Sequence, residues 1–557
     1  MALRRILCAL SLALVSGTFP ATAGWSLAGE DERSTDRTSH TSSTRKDQYG
    51  QPLPDLAVAR VRLSPDVGRD PDNRVAYWHS LAMSQDGKRL AFGRWGVLYL
   101  WDVRGQRQIR QWRGEQGDFK CLAFSPNGRA LAFSGADGFI YFRSINNDDP
   151  ARRLPERPFN GIGPMAFSPD GKLLAAVGAK DHAVLILDVP GLREVRRLTI
   201  PGGGSQVAFS PDGKVLAVAG WGPAVVHLWD VASGKKLREV GETGRYPVPS
   251  VAFAPDSRTL AAPGASGPFQ NEDAPTIFLR EATTGRELRQ FPREQLPQEK
   301  HWRYVESLAF SPDGRTLASA ENEYVFLWEA ATGKQILCLT GHHNRVFFIG
   351  FAPDGRVLIS GSEDGTALVW DFSLLGTGGP RVEQWSRQDW ERLWTDLAGE
   401  DAAKAYRALW TLVGTPKQSL PLFRTHLKPV PPADARHLHR LIEGLDNDEF
   451  DVRENSARAL EELGEKARGA LLRARDGQAS PEVRKRVEAL LEKLDGTGAS
   501  ADTRVGRRAV QALEQMGGRD ARRLLQDLAR GAPGARLTTE AQEALNRLAK
   551  RDPDVAP

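Results

Sequence analysis

Few residues of this chain have the types and spacing that a chemical reaction would require. His437 and His439 lie two residues apart in a region of helical periodicity, so their side chains point to different faces and cannot share a metal ion. The motif Gly-x-Ser-x-Gly, which presents the nucleophile of many serine hydrolases, does not occur. The run Gly202–Gly204 lacks the rest of a phosphate-binding motif and is interpreted as a turn before a strand. We therefore expect no catalytic residues, no metal site and no cofactor.

The cysteines and the overall charge likewise give no sign of a metal site or of a nucleic-acid partner. Cys121 and Cys338 each lie in a predicted strand, where a buried small hydrophobic side chain is favoured over a disulfide or a metal ligand. The chain has 75 basic and 70 acidic residues, a net charge of +5. Binding to nucleic acid requires a concentrated basic stripe rather than such a balance, so no nucleic-acid partner is expected.

A repeated turn motif dominates the first two thirds of the chain. Ala-Phe-Ser-Pro-Asp-Gly, with small variations, occurs seven times between Ala82 and Gly355. The acid or amide of the motif falls at Asp86, Asn127, Asp170, Asp212, Asp256, Asp313 and Asp354, in steps of 41, 43, 42, 44, 57 and 41 residues. This spacing is typical of the blades of a β-propeller.

One repeat shows how the chain is expected to fold. An apolar strand leads into Ser311-Pro312-Asp313-Gly314, where proline fixes φ and glycine accepts a positive φ, so the chain reverses into a second strand. A third strand follows and ends in Trp328-Glu329, and a Thr-Gly-Lys turn leads to a fourth strand. Seven such units predict an all-β, seven-bladed propeller.

The repeats resemble the WD40-repeat family over residues 53–373. In that family the first strand of the chain usually completes the last blade. Here the last repeat ends at Phe372 without a fourth strand, whereas Leu56–Leu63 alternates between apolar and polar residues as a strand does. We therefore predict that Leu56–Leu63 pairs with the strand that contains Val369 and Trp370.

The resemblance also implies a hydrogen-bond network that stabilises a blade. Its residues match in full only in the last repeat, at His342, Ser360, Asp364 and Trp370. A catalytic base needs a matched nucleophile, which the sequence does not offer, so His342 is interpreted as structural. The other repeats are expected to depend on apolar packing between sheets.

In this family, the loops before each first strand and those between the second and third strands share one face of the propeller. Trp, Tyr and Arg dominate binding hot spots. On that face the resemblance places Arg94, Trp95, Trp221, Tyr246, Trp302, Arg303, Tyr304 and Arg345. We predict that these residues bind a partner; the alternative is that several of them pack between neighbouring blades. Residues 263–275 and 291–304 are long connections that either give specificity or are tolerated insertions.

After a linker at residues 374–382 the sequence becomes helical in its periodicity. Residues 452–463 are echoed 31 positions later at 483–494, which resembles short HEAT-like repeats. We expect a helical connecting region over residues 383–445 and a HEAT-like α-solenoid over residues 446–552. The aromatic residues of the connecting region are interpreted as core, or as contacts with the propeller, rather than as a ligand site: Trp385, Trp390, Trp394, Tyr406 and Trp410.

The N-terminal segment has the pattern of a secretory signal peptide over residues 1–23. Arg4-Arg5 precede a short apolar run, and small residues precede the expected cleavage after Ala23. A lipid anchor at Cys8 is a minor alternative. Residues 24–52 are expected to form a disordered polar leader. We therefore expect an exported protein, periplasmic or extracellular, without an integral membrane segment after the signal is removed.

Two functions remain open at this point. The first is a non-enzymatic scaffold that binds protein partners through the propeller loop face and the helical solenoid. The second is a propeller enzyme, or a carbohydrate-binding module, with its site at the central channel. A scaffold predicts exposed aromatic residues, whereas an enzyme predicts carboxylates or histidines that converge in a pocket. The order of signal, propeller and helices resembles a group of large bacterial WD40-repeat proteins, which implies a fold more than a function; the oligomeric state stays open.

Overall fold

Twenty-eight strands form seven four-stranded antiparallel sheets in the described part of the chain. The structure is a computed structural model, and it describes residues 45–47, 53–62, 81–94, 96–113, 119–135, 137–159, 161–178, 181–221, 225–241, 248–264, 277–292, 305–376, 385–477, 480–496 and 500–551. The chain from Arg45 onward belongs to one compact unit. The sheets are the blades of a propeller, as the repeats predict.

The strands are numbered in chain order and grouped by blade. Blades 1 to 3 contain β2 Leu81–Met83, β3 Arg89–Arg94, β4 Val97–Asp102, β5 Arg107–Arg113; β6 Cys121–Phe124, β7 Ala130–Ser134, β8 Ile140–Ser144, β9 Arg152–Arg153; and β10 Ile162–Phe167, β11 Leu173–Gly178, β12 Ala183–Asp188, β13 Arg193–Thr199. Blades 4 and 5 contain β14 Gly204–Phe209, β15 Val215–Gly220, β16 Val226–Asp230, β17 Lys236–Val240; and β18 Ala252–Phe253, β19 Thr259–Pro263, β20 Ile277–Glu281, β21 Glu287–Phe291. Blades 6 and 7 contain β22 Val305–Phe310, β23 Thr316–Glu321, β24 Tyr324–Glu329, β25 Gln335–Leu339; and β26 Val346–Phe351, β27 Val357–Ser362, β28 Thr366–Asp371, with β1 Ala57–Arg62.

The first strand of the chain completes the last blade. β1 pairs antiparallel with β28, with Ala57 opposite Trp370 and Val61 opposite Ala367. The predicted pairing of Leu56–Leu63 with this strand is therefore confirmed for Ala57–Arg62. Leu56 precedes the strand, although its carbonyl accepts the Asp371 N–H at 2.9 Å, and Leu63 lies outside the described residues. Blades 7 and 1 share an apolar cluster in which residues of β1, β27 and β28 meet Leu90 and Phe92, so the ring closes there.

Ten α-helices follow the propeller in the described residues. They are α1 Arg387–Ala398, α2 Ala402–Gly414, α3 Pro416–His426, α4 Ala435–Gly444, α5 Phe450–Leu463, α6 Glu465–Asp476, α7 Pro481–Gly496, α8 Ala501–Met516, α9 Arg519–Ala529 and α10 Arg536–Arg551. Cap residues such as Ser386, whose hydroxyl accepts the Asp389 N–H, define several of the helix starts.

The helices bury their apolar faces in two separate places. α4 to α7 share a core of their own that contains Leu460, Leu471 and Val487. The remaining helices contribute to a core that continues into blades 6 and 7, where Tyr406 meets Phe372 with ring centroids 6.1 Å apart. Tyr406 is therefore a contact between the helices and the propeller, one of the two roles predicted for the aromatic residues of this region.

A 3-10 helix, Phe372–Gly376, includes the first residues of the predicted linker, 374–376. Phe372 is fully buried, and Leu375 packs against the same apolar cluster. Residues 377–384 lie outside the described residues.

Candidate functional site

The helices cover one side of the propeller through a polar stripe on α8. Arg508 donates from Nε and Nη2 to the two carboxylate oxygens of Glu329, at 2.7 and 2.9 Å. One turn further along α8, Gln511 Nε2 donates to Asp313 Oδ2 at 2.9 Å. Gln515 Nε2 donates to the carbonyl oxygen of Asp354 at 2.9 Å. This stripe therefore binds the turns after the first and third strands of blade 6 and the turn after the first strand of blade 7.

A buried ion cluster surrounds the same contact. The Glu514 carboxylate is fully buried and accepts from Arg547 at 2.8 Å and from Arg551 at 3.0 Å. Arg315 of blade 6 donates to Glu540 of α10 at 3.0 Å. Paired charges of this kind are costly to separate once buried, so they fix the position of α8 and α10 on the propeller.

A cavity of about 2270 Å³ lies on this side, lined by propeller turns and by α8 and α10. Several of its carboxylates already have partners, as Glu514 and Glu540 show. Burial alone would raise the pKa of Asp86, but hydrogen bonds from Ser84 and the Lys88 N–H lower it below its usual range. Asp86 is therefore a charged turn residue, not the raised-pKa acid that a hydrolytic site needs.

The opposite side carries the predicted loop face. Successive antiparallel strands reverse direction, so the loops before first strands and between second and third strands lie at the end away from α8. Trp221 is found there, directly after β15, and the residue is 59% exposed. Its backbone N–H donates to the Gly203 carbonyl at 3.0 Å. This bond connects the two loops of blade 4 that form its part of the face.

A histidine that the sequence did not single out lies beside Trp221. A Cβ built on Gly203 would lie 3.4 Å from His182 Nδ1 and 4.0 Å from Trp221 Cδ1, so the two rings flank this glycine. His182 is exposed and has a φ of 50°. His182 belongs to blade 3, and it lies near Trp221 only because blades 3 and 4 are neighbours. No local sequence motif indicates this proximity.

Arg345 lies on the same face but in blade 7. Its Nη2 donates to Glu306 Oε2 of blade 6 at 2.6 Å. The charges of Arg345 and Glu306 also act on Glu363 of blade 7. Burial and the negative charge of Glu306 raise the pKa of Glu363, although the positive charge of Arg345 lowers it in part. Arg345 thus joins neighbouring blades, which is the alternative role considered for the residues of this face. Trp221 and Arg345 lie three blades apart and are not brought together.

The other predicted face residues are not described. Trp95, Tyr246, Trp302, Arg303 and Tyr304 lie outside the described residues, and so does the side chain of Arg94 at the end of β3. Most of the two long connections also lies outside them. Their first residues were assigned wrongly, because Pro263 and Phe291 both pair with Ile277 and belong to strands β19 and β21.

The polar network of blade 7 has the following geometry. His342 Nδ1 lies 2.9 Å from Asp364 Oδ2, and its Nε2 lies 2.7 Å from Ser360 Oγ. Trp370 Nε1 donates to the same Ser360 oxygen at 2.8 Å. Burial raises the pKa of Asp364, but the hydrogen bond and charge of His342 outweigh it and lower the pKa to about 2. The four side chains therefore hydrogen-bond with one another inside the blade and satisfy their polar groups there.

Blade 6 contains a shorter version of this network that the sequence did not reveal. Trp328 Nε1 donates to Ser319 Oγ at 2.9 Å, and Ser319 Oγ donates to Glu321 at 2.8 Å. All three side chains are buried. Blade 6 therefore does not depend on apolar packing alone, contrary to the expectation for blades without the Gly-His pair.

Among the described residues, no three side chains of His, Cys, Asp or Glu converge in a way that could hold a metal ion. None of the described helices has the length and apolar character required to cross a membrane. Cys121 and Cys338 are both partly buried, and burial raises the pKa of the Cys121 thiol to about 12.

Comparison with known proteins connects the propeller to a family. The model of the WD domain, G-beta repeat, matches residues 106–143, 294–329 and 333–371. The guanine nucleotide-binding protein subunit beta of Oryza sativa subsp. indica is 25% identical over 313 residues, which is 53% of this chain and 77% of the relative. The target of rapamycin complex subunit wat1 of Schizosaccharomyces pombe is 45% identical over 70 residues, 12% of this chain and 22% of the relative. WD repeat-containing protein 1 of Gallus gallus is 36% identical over 75 residues, 13% of this chain and 12% of the relative. With seven blades closed by β1, the chain contains a WD40-repeat β-propeller followed by a C-terminal helical region.

Proposed function

We propose that this protein is a non-enzymatic scaffold that binds protein partners through the loop face of its propeller. The observation that carries the proposal is the exposure of Trp221 on the side of the propeller that the helices leave open. A tryptophan buries a large area on binding and keeps an N–H donor, which makes it a frequent binding hot spot. His182 beside it adds a second ring to the same surface.

The surroundings of Trp221 support a role in recognition rather than in folding. Its backbone is fixed by the bond to Gly203, so little conformational freedom is lost when a partner covers the ring. Two of the relatives are, by their names, subunits of larger assemblies. We infer that this propeller is likewise a component that contacts other proteins.

We infer that the helical region supplies a second binding surface and is HEAT-like. In support of this, consecutive helices pack as pairs and α4 to α7 have their own apolar core. Phe450 at the start of α5 is exposed by 63%. It is a further position where a partner could bury an aromatic ring.

We also propose that the protein is exported after cleavage behind Ala23. The support comes from the sequence of residues 1–23, with its paired arginines, apolar run and small residues. Mass spectrometry of the protein from an expressing cell gives the test. A mature N-terminus at Gly24 in the exported fraction supports export, and an intact Met1 in the cytoplasm contradicts it.

Affinity capture with two matched variants tests the binding face. Trp221→Ala removes the exposed ring from the loop face. Lys214→Ala, in the same blade, removes a side chain that is 79% exposed in the turn after β14, on the opposite side. We expect Trp221→Ala to weaken capture of the partner about tenfold or more, while Lys214→Ala retains it. Unchanged capture by Trp221→Ala, with unchanged thermal unfolding, would show that the loop face is not the binding surface.

A further inference from the structure

The outer strands of the blades share an irregularity that the sequence repeats do not reveal. In β5, β13, β17, β21 and β25 the pairing with the preceding strand shifts by one residue, which is a β-bulge. The extra residue is apolar in every case: Ile109, Val195, Leu237, Leu288 and Ile336. A bulge redirects the side chain of its extra residue. Each of these blades therefore presents one apolar side chain at its outer edge.

A basic residue precedes each bulge by two positions. These residues are Arg107, Arg193, Lys235, Arg286 and Lys334. All five are exposed. The pattern at the blade edge is therefore a cation followed, two residues later, by an apolar bulge.

In blade 6 this pair binds a helix of the chain itself. Ile336 is 4% exposed and packs in the apolar cluster that contains Tyr406 and Leu409 of α2. Lys334 Nζ donates to the Glu400 carbonyl at 3.0 Å and lies 3.6 Å from its carboxylate. Glu400 directly precedes Asp401, the N-cap of α2. The edge of blade 6 thus recognises an amphipathic helix with acidic residues before its N-terminus.

The same pair is uncovered on four other blades. Ile109, Val195, Leu237 and Leu288 are 42%, 48%, 51% and 39% exposed. Isolated exposed apolar residues need no explanation. Here, however, four exposed apolar residues occupy equivalent positions, and each follows a cation that is equivalent to Lys334 of blade 6. They therefore form a repeated surface, and three of them lie on the consecutive blades 3, 4 and 5.

We propose that the outer edges of blades 1, 3, 4 and 5 bind an amphipathic α-helix of a partner protein that has acidic residues before its N-terminus, as the edge of blade 6 binds α2. The apolar face of that helix covers the bulged residue. Its acidic N-terminal residues pair with the cation two positions earlier, which is the charge complementarity observed between Lys334 and Glu400. The inference rests on the proposed scaffold function, but it concerns a surface distinct from the loop face at Trp221.

A peptide copied from α2 tests the proposal on the full-length protein. The probe is a fluorescent peptide of residues 399–415, kept helical by a hydrocarbon staple between positions 407 and 411, away from the face formed by Tyr406 and Leu409. We expect saturable binding by fluorescence anisotropy. The edge variant, with all four exposed bulge residues changed to serine, should bind about tenfold more weakly or worse. It should unfold at the temperature of the wild type, because the changed side chains are exposed.

Two controls separate the contributions to binding. A peptide with Glu400→Gln and Asp401→Asn should bind several-fold more weakly and lose its dependence on salt. A peptide with Tyr406→Ser and Leu409→Ser should not bind. The Trp221→Ala variant should bind the peptide as the wild type does. The experiment therefore tests helix binding at the blade edges separately from partner binding at the loop face.

Equal binding of the peptide by wild type and the edge variant would overturn the proposal, as would its failure to bind the wild type. Analytical ultracentrifugation of the free protein gives the remaining decisive result. Self-association that the edge variant abolishes would assign these edges to a second copy of the chain, and the proposed partner helix would then be wrong.

Discussion

At the scale of single residues, the turn glycines of the propeller connect neighbouring blades. A Cβ on Gly171 would lie 3.4 Å from Pro126, and one on Gly355 would lie 3.6 Å from Pro312, each a proline in the turn of the preceding blade. The repeated Pro-Asp-Gly sequence therefore serves both the turn, through the positive φ of glycine, and the packing between turns.

Substitution of Gly87 should be more harmful than substitution of Gly128. Both have a positive φ, 66° and 63°, so alanine strains both by about 1 kcal/mol. A Cβ on Gly87 would lie only 2.8 Å from Ala352 Cβ, whereas a Cβ on Gly128 has no atom within 4 Å. We expect Gly87→Ala to cost roughly 1–3 kcal/mol more than Gly128→Ala. Thermal unfolding of the two variants measures this difference, and equal costs would argue against close packing of the turns of blades 1 and 7.

The pKa of Asp364 gives blade 7 a defined pH dependence. The folded-state pKa of about 2 lies below the unfolded value of about 3.9, so the stabilisation is present above pH 4 and is lost as pH falls toward 2. This stabilisation amounts to roughly 2–3 kcal/mol. Denaturant unfolding between pH 2 and 6 should show Asp364→Asn less stable than wild type at pH 6, with a gap that narrows below pH 4. A gap that stays constant with pH would exclude this carboxylate as its source.

At the scale of elements, local patterns predicted the strands and helices but not their docking. The turn motifs specify hairpins, and the alternation in Leu56–Leu63 specifies an edge strand, because each is encoded within a few neighbouring residues. The stripe of Arg508, Gln511 and Gln515 resembles an ordinary solvated helix face. Its contacts with blades 6 and 7 depend on residues more than 150 positions away, so no local pattern could show them.

The ion pair between Arg508 and Glu329 should be the strongest single polar contact between α8 and the propeller. Arg508 is 5% exposed, and its removal leaves the Glu329 carboxylate without this partner. We expect Arg508→Ala to destabilise the protein by about 3–5 kcal/mol. Lys334→Ala removes an exposed ion pair with Glu400 and should cost less than about 1 kcal/mol.

Thermal unfolding of both variants gives the comparison, and the double variant Arg508→Met with Glu329→Gln should recover part of the loss. A small effect of Arg508→Ala would mean that apolar packing alone holds α8 on the propeller.

At the scale of the whole molecule, the helices decide which side of the propeller is open. They pack on the side of the turns after the first and third strands, at blades 6 and 7. Trp221 then lies on the uncovered side. The sequence predicted the propeller, the helices and the place of Trp221 on the loop face, but the side taken by the helices follows only from long-range contacts such as that of Tyr406 with Phe372.

Backbone hydrogen exchange of the full-length protein, with and without its captured partner, tests the scaffold account most directly. The account predicts slower exchange in the loops around Trp221, at residues 181–183, 202–205 and 219–221, with no change in α8 to α10. Protection confined to α8 and α10, or to the turns that line the cavity beside them, would contradict it.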